Sequence, residues 1–78
     1  MEREIIDDPE GFGRALRMAR YARKLRLEDV ALAAGVGIRF VSELERGKPT
    51  ARLGGALRVA AALGVIVVIE DPDDRPTP

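Results

Sequence analysis

A chain of 78 residues makes one domain, at a size where a single core is only marginally sufficient and association with a second copy often helps. It contains neither cysteine nor histidine, which removes disulfides, thiolate chemistry and the commonest general base and metal ligand; no enzyme, metal centre or cofactor site is expected. The 13 basic residues balance 13 acidic ones, but the signs are divided: arginine and lysine dominate between residues 14 and 58, and acid gathers at the two ends, where it is expected to stay clear of a phosphate-facing surface. No apolar leader precedes the first predicted helix, and the longest apolar run, 65–69, is far below the roughly 20 residues that span a bilayer. A cytoplasmic protein with no membrane partner is expected.

Residues 1–6 alternate charge and end in Ile5 and Ile6, the pattern of a short extended arm. Asp8, Pro9 and Glu10 then open a helix, with an oxygen for the N-cap, a proline at the first position and an acid near the positive end of the dipole. That helix is predicted over 9–24, with Phe12, Leu16 and Ala19 as its buried stripe. A second helix over 28–34 buries Val30, Ala31 and Ala34, and Gly35 stops it at a tight turn over 35–37. A third, over 38–46, places Val41 and Leu44 on its core side and Arg39, Ser42, Glu43 and Arg46 on another; Gly47 closes it.

Lys48 and Pro49 give a rigid loop, and Thr50 is expected to cap a fourth helix whose periodic residues are Leu53, Leu57, Ala60, Ala61 and Leu63. Gly54 and Gly55 inside it each cost about 1 kcal/mol relative to alanine, offset either by close packing or by tertiary contacts. After Gly64 the β-branched run Val65, Ile66, Val67, Val68, Ile69 reads as a strand covered on both faces. A lone strand has no partner within the chain unless the arm supplies one, so its own copy across a two-fold axis is the expected partner. The tail, 70–78, is acidic and proline-rich and is expected to be flexible. Nothing fixes the geometry of its Asp71, Asp73 and Asp74 for a cation.

Two short helices joined by a glycine corner, with alanine at 31, glycine at 35 and apolar residues at 36, 41 and 44, are what a helix-turn-helix requires, because the helices cross closely and the turn bends sharply. That spacing resembles the Cro and lambda-repressor (Xre) type. The run from Phe40 through Ser42, Glu45, Arg46, Gly47 and Lys48 to Thr50 is similar to the HipB branch, the DNA-binding antitoxins paired with HipA-type kinase toxins. The resemblance spans residues 12–69. It implies a mainly α fold: a lambda-repressor-like helix-turn-helix domain of four to five helices with a C-terminal dimerising β-strand over 65–69, the whole DNA-binding and dimerisation domain occupying 9–69.

It also implies roles for residues. Gly37, Ile38, Arg39, Ser42 and Glu43 match the base-contacting positions, and Arg46, Lys48, Thr50 and Ala51 the phosphate-contacting ones. Arg20 and Glu45 match an ion pair that pins the first helix on the third. Where the family carries a phosphate-binding glutamine at the start of the second helix, this chain has Leu27, which cannot serve, and Arg26 is the expected substitute. The function implied is a homodimeric, sequence-specific repressor of double-stranded operator DNA, the antitoxin of a type II toxin-antitoxin operon that regulates itself and neutralises a HipA-like kinase toxin. Two other readings stay open: a stand-alone phage-type repressor or restriction-modification controller, and an interaction module whose helical hairpin packs a core without touching DNA.

Overall fold

Residues 3–73 are described by a computed structural model, in which four helices carry the chain: α1 Pro9–Ala22, α2 Leu27–Ala34, α3 Ile38–Glu45 and α4 Leu53–Ala62. At the head of α1 the Asp8 carboxylate accepts from the Gly11 N–H at 2.6 Å, with Pro9 in the first turn, so one orphan donor is satisfied and another does not exist. Small residues fill the crossings. Val30, Ala31 and Ala34 of α2 meet Val41 and Leu44 of α3 and Ala56, Val59, Ala60 and Leu63 around α4, and Leu16 supplies the core residue of α1. With α2 packed on both α3 and α4, and α1 packed on α3, the two helices of the motif are held from either side.

All four helices end in the same way. A residue in the left-handed region turns the chain, and the amide after it reaches back to a carbonyl five residues earlier: Leu25 to Arg20, Val36 to Ala31, Lys48 to Glu43 and Val65 to Ala60, at 2.9–3.1 Å. Gly35, Gly47 and Gly64 make three of these turns, with φ of 70°, 86° and 73°, but Lys24 makes the first at φ 56°. The helix predicted over 9–24 therefore stops at Ala22, because Lys24 has already left helical geometry.

The start of α4 also differs from expectation. Thr50 does not cap it; the N-cap is Arg52, which makes no side-chain cap bond. The Ala51 N–H donates to the Lys48 carbonyl at 3.3 Å, closing 48–51 as a turn, and helical bonding begins only with Ala56 to Arg52 at 3.0 Å.

The largest correction concerns the C-terminal strand. Among the described residues there are four helices and no strand, and 65–69 run on as irregular chain. Val65 packs on the core, while Ile66, Val67, Val68 and Ile69 are exposed. The arm lies nearby, with Arg3 Nη1 2.6 Å from Glu70 Oε2, but no backbone hydrogen bond joins the two segments among the described residues. A strand is defined by its ladder, and one copy of this chain offers none. In the tail, Asp73 N–H donates to Asp71 Oδ1 at 2.9 Å, Asp74 lies outside the described residues, and no group of described carboxylates is placed to hold a metal ion. No described helix is long and apolar enough to cross a membrane.

Candidate nucleic-acid interface

The third helix has two sides with opposite chemistry. Val41 and Leu44 are sealed in the core and Glu45 is 5% exposed, a carboxylate that must be paired to be buried. Arg20 of α1 meets it with a fork: Nε donates to Glu45 Oε2 at 2.7 Å and Nη2 to Oε1 at 3.0 Å, while Nη1 donates to the Leu25 carbonyl at 3.0 Å. The hydrogen bonds it donates to Glu45 hold the Arg20 guanidinium above its ordinary pKa against the desolvation that would lower it. All three nitrogens of the guanidinium donate within the protein, so Arg20 orients α3 rather than reaching for a ligand. Arg17 Nε adds a longer contact to Glu45 Oε1 at 3.4 Å, a partner the sequence reading did not name.

The backbones meet at the same place. A Cβ at Gly13 would stand 2.5 Å from the Leu44 and Glu45 carbonyl oxygens, and one at Gly47 would stand 2.7 Å from Glu10 Cα. On the α4 side a Cβ at Gly55 would lie 2.6 Å from the Phe40 ring, whereas Gly54 is open. One of the two helix-four glycines thus answers to close packing and the other does not. Arg52 also reaches Phe40, its guanidinium lying over the ring 5.8 Å from the centroid, again a feature absent from the sequence reading.

On the other side of α3, Ile38 is half exposed, the Arg39 side chain is 90% exposed, and Ser42 and Glu43 are partly covered. Gly37, extended at φ −76° and ψ 153°, precedes the helix with no atom near the place of a Cβ, so nothing steric demands glycine there. Glu43 gathers two cations: Arg39 Nε at 3.4 Å and Lys48 Nζ at 3.1 Å. The Lys48 hydrogen bond, joined by the charges of Lys48 and Arg39, holds the Glu43 carboxyl below its ordinary pKa despite partial desolvation.

The remaining candidates are spread more widely. Arg46 is exposed at the end of α3. Arg26 stands at the N-cap of α2, where its backbone N–H donates to Asp29 Oδ2 at 2.8 Å, and its largely exposed guanidinium lies 3.3 Å from Glu28. Thr50 is exposed, but the Ala51 amide is already engaged with Lys48, so the unpaired donors of this corner move to the first turn of α4. Acid is not remote from this edge, contrary to expectation: Asp7 and Asp8 share an open cleft of about 370 Å³ with Lys48, Pro49 and Phe12. The packing of Glu10 on Gly47 brings the acidic N-terminal segment there.

The helix-turn-helix family matches residues 16–65 of this chain. The HTH-type transcriptional regulator y4mF of Sinorhizobium fredii, itself uncharacterized, is 41% identical over 70 residues, covering 90% of this chain and 92% of that protein. Among solved structures, the restriction-modification controller protein C.AhdI of Aeromonas hydrophila is 34% identical, with a TM-score of 0.64 over 70% of this chain and 83% of that one. HipB, in its complex with the O4 20mer, superposes with a TM-score of 0.82 over 91% of this chain and 100% of its own at 15% identity, a likeness of fold.

Proposed function

The chain belongs to the helix-turn-helix family of transcriptional regulators, and on that premise we propose that it is a sequence-specific, double-strand DNA-binding repressor working as a homodimer. The observation that carries this reading is the two-sided character of α3: one side is locked by Val41, Leu44 and the Arg20–Glu45 fork, and the other presents Ile38, Arg39, Ser42 and Glu43. A short helix so held can enter a major groove, where Arg39 can meet the two acceptors of a guanine and Ile38 a thymine methyl, with Gly37 letting the backbone approach. Arg26, Arg46 and Lys48 would serve as phosphate contacts beside it, and the first turn of α4 beyond Thr50 and Ala51 would offer amides to another phosphate.

The homodimer is supported by what one chain leaves uncovered. Ile66, Val67, Val68 and Ile69, together with Leu53 and Leu57 of α4, are exposed apolar residues. Antiparallel pairing of 65–69 with a second copy would give those backbone groups their ladder and set two recognition helices about 34 Å apart.

The antitoxin role, with a HipA-like kinase toxin as partner, draws on the resemblance of residues 40–50 and on the HipB likeness of fold. A restriction-modification controller is the second reading, favoured by the 34% identity to C.AhdI. The gene next door separates them: a kinase-like toxin or a restriction-modification pair. DNA binding is tested by selecting duplexes from a random pool with the full chain and by gel shift of the region upstream of its own gene. A chain that enriches no duplex and binds that region no better than scrambled DNA is not a repressor.

A further inference from the structure

Glu43 occupies an odd place for a surface that meets a polyanion. It lies between Arg39 and Lys48, two cations of that surface, and bonds both, Oε2 to Arg39 Nε at 3.4 Å and Oε1 to Lys48 Nζ at 3.1 Å. The arrangement is built by the backbone. Arg39 and Glu43 are one helical turn apart, and the left-handed turn at Gly47 folds the chain back so that the Lys48 N–H donates to the Glu43 carbonyl at 3.1 Å. The ammonium is therefore delivered to the carboxylate by the same turn that ends α3.

We propose that Glu43 determines specificity by discrimination, withholding Arg39 and Lys48 from arbitrary phosphates and releasing them only where a cytosine amino group replaces them. The inference rests on the DNA-binding reading above and goes further into how its surface chooses. Binding to arbitrary duplex is almost wholly phosphate neutralisation by lysine and arginine. Arg39 and Lys48 keep other donors free. While Glu43 shares them, however, a phosphate meets a neighbouring carboxylate to which it cannot donate, so much of their attraction for phosphate is cancelled until Glu43 finds another donor. An ionised carboxylate only accepts hydrogen bonds, and the usual base-edge donor for it in the major groove is the cytosine N4 amino group. Like any glutamate, Glu43 is charged at neutral pH, and its two cations favour that form further. Exposed ion pairs are weak, so the cluster opens readily where a donor waits and acts as a filter, not a lock.

The test uses the full chain, a duplex selected by the wild type from a random pool, a scrambled duplex of the same composition, and a selected duplex with its contacted C·G pairs replaced one at a time. Glu43→Gln should bind the scrambled duplex several-fold more tightly. Its slope of log K against log salt there should steepen by about one to two units as Arg39 and Lys48 become available. The wild type should lose affinity on replacement of one C·G pair that Glu43→Gln tolerates. Adding Lys48→Ala to Glu43→Gln should return about one unit of that slope. Glu43→Ala carries the same expectation, and thermal unfolding checks that each variant is folded. Unchanged affinity and slope on the scrambled duplex overturn the proposal, as does a loss confined to the selected duplex, which would make Glu43 an ordinary base contact. A wild type without preference for any duplex overturns the DNA-binding reading itself, a distinguishable failure.

Discussion

Gly13 of α1 approaches Glu45 of α3 so closely that a Cβ at position 13 would stand 2.5 Å from the Glu45 carbonyl oxygen. The helices meet there backbone to backbone, and neither can yield as a flexible side chain would. Helix propensity alone favours alanine over glycine by about 1 kcal/mol, but overpacking against a fixed backbone costs about 1–3 kcal/mol and occasionally more. Gly13→Ala should therefore lower the urea midpoint, whereas Gly54→Ala, at an open position, should raise it. A Gly13→Ala protein as stable as wild type would mean that α1 can move away from α3 at no cost.

Lys24 turns the chain at φ 56° where the other three helix ends use glycine. A left-handed residue with a Cβ costs roughly 1–2 kcal/mol, part of which glycine returns through greater unfolded-state freedom. Lys24→Gly is expected to stabilise by roughly 0.5–1 kcal/mol, read from equilibrium denaturation, with the slope against denaturant unchanged.

The Arg20–Glu45 fork is buried on both sides. Removing one partner strands the other, a loss of about 3–5 kcal/mol. Glu45→Ala should approach that figure, and Arg20→Ala should fall short because Arg17 remains 3.4 Å from Glu45. Replacing both members by apolar residues should cost less than Glu45→Ala alone. A double-mutant cycle with a coupling near zero would show that the pair contributes nothing beyond packing.

Lys48 bears on affinity without regard to sequence. On a selected duplex, Lys48→Ala should weaken binding and reduce the slope of log K against log salt by about one unit; an unaltered slope would take Lys48 off the phosphate.

The segment 65–69, uncovered from Ile66 onward, gives a test of association. Val67→Pro removes a ladder donor; if the proposed dimer forms through this segment, sedimentation should show a dimer for the wild type and a monomer for the variant at the same concentration, with operator affinity lost in parallel. A dimeric variant would move the interface to Leu53 and Leu57 on α4.

The helix-turn-helix was legible because its period and punctuation agree: Val30, Ala34, Val41 and Leu44 recur at helical spacing, and Gly35, Gly47 and Gly64 mark the ends. Where the sequence reading overshot, the missing information was conformational or tertiary. Nothing about a lysine announces φ 56°. Thr50 offers an oxygen of the right kind, but the Ala51–Lys48 bond commits the backbone to a turn before the helix begins. Gly54 and Gly55 are identical in sequence and differ only in that Phe40 lies against one of them. The run 65–69 has strand composition, but composition cannot supply the second strand. At the site, the i,i+4 spacing of Arg39 and Glu43 lay in the sequence, but the addition of Lys48 to the same carboxylate did not, because it depends on the return of the chain after Gly47.

Because Val41, Leu44, the Arg20–Glu45 fork and the Gly13 contact hold α3 from behind, the residues that would face DNA carry little of the stability of the fold. Positions 38, 39, 42 and 43 are thus open to rapid divergence. A descendant of this chain could acquire a new address through a few surface exchanges while its folding, and its geometry on the duplex, stayed the same.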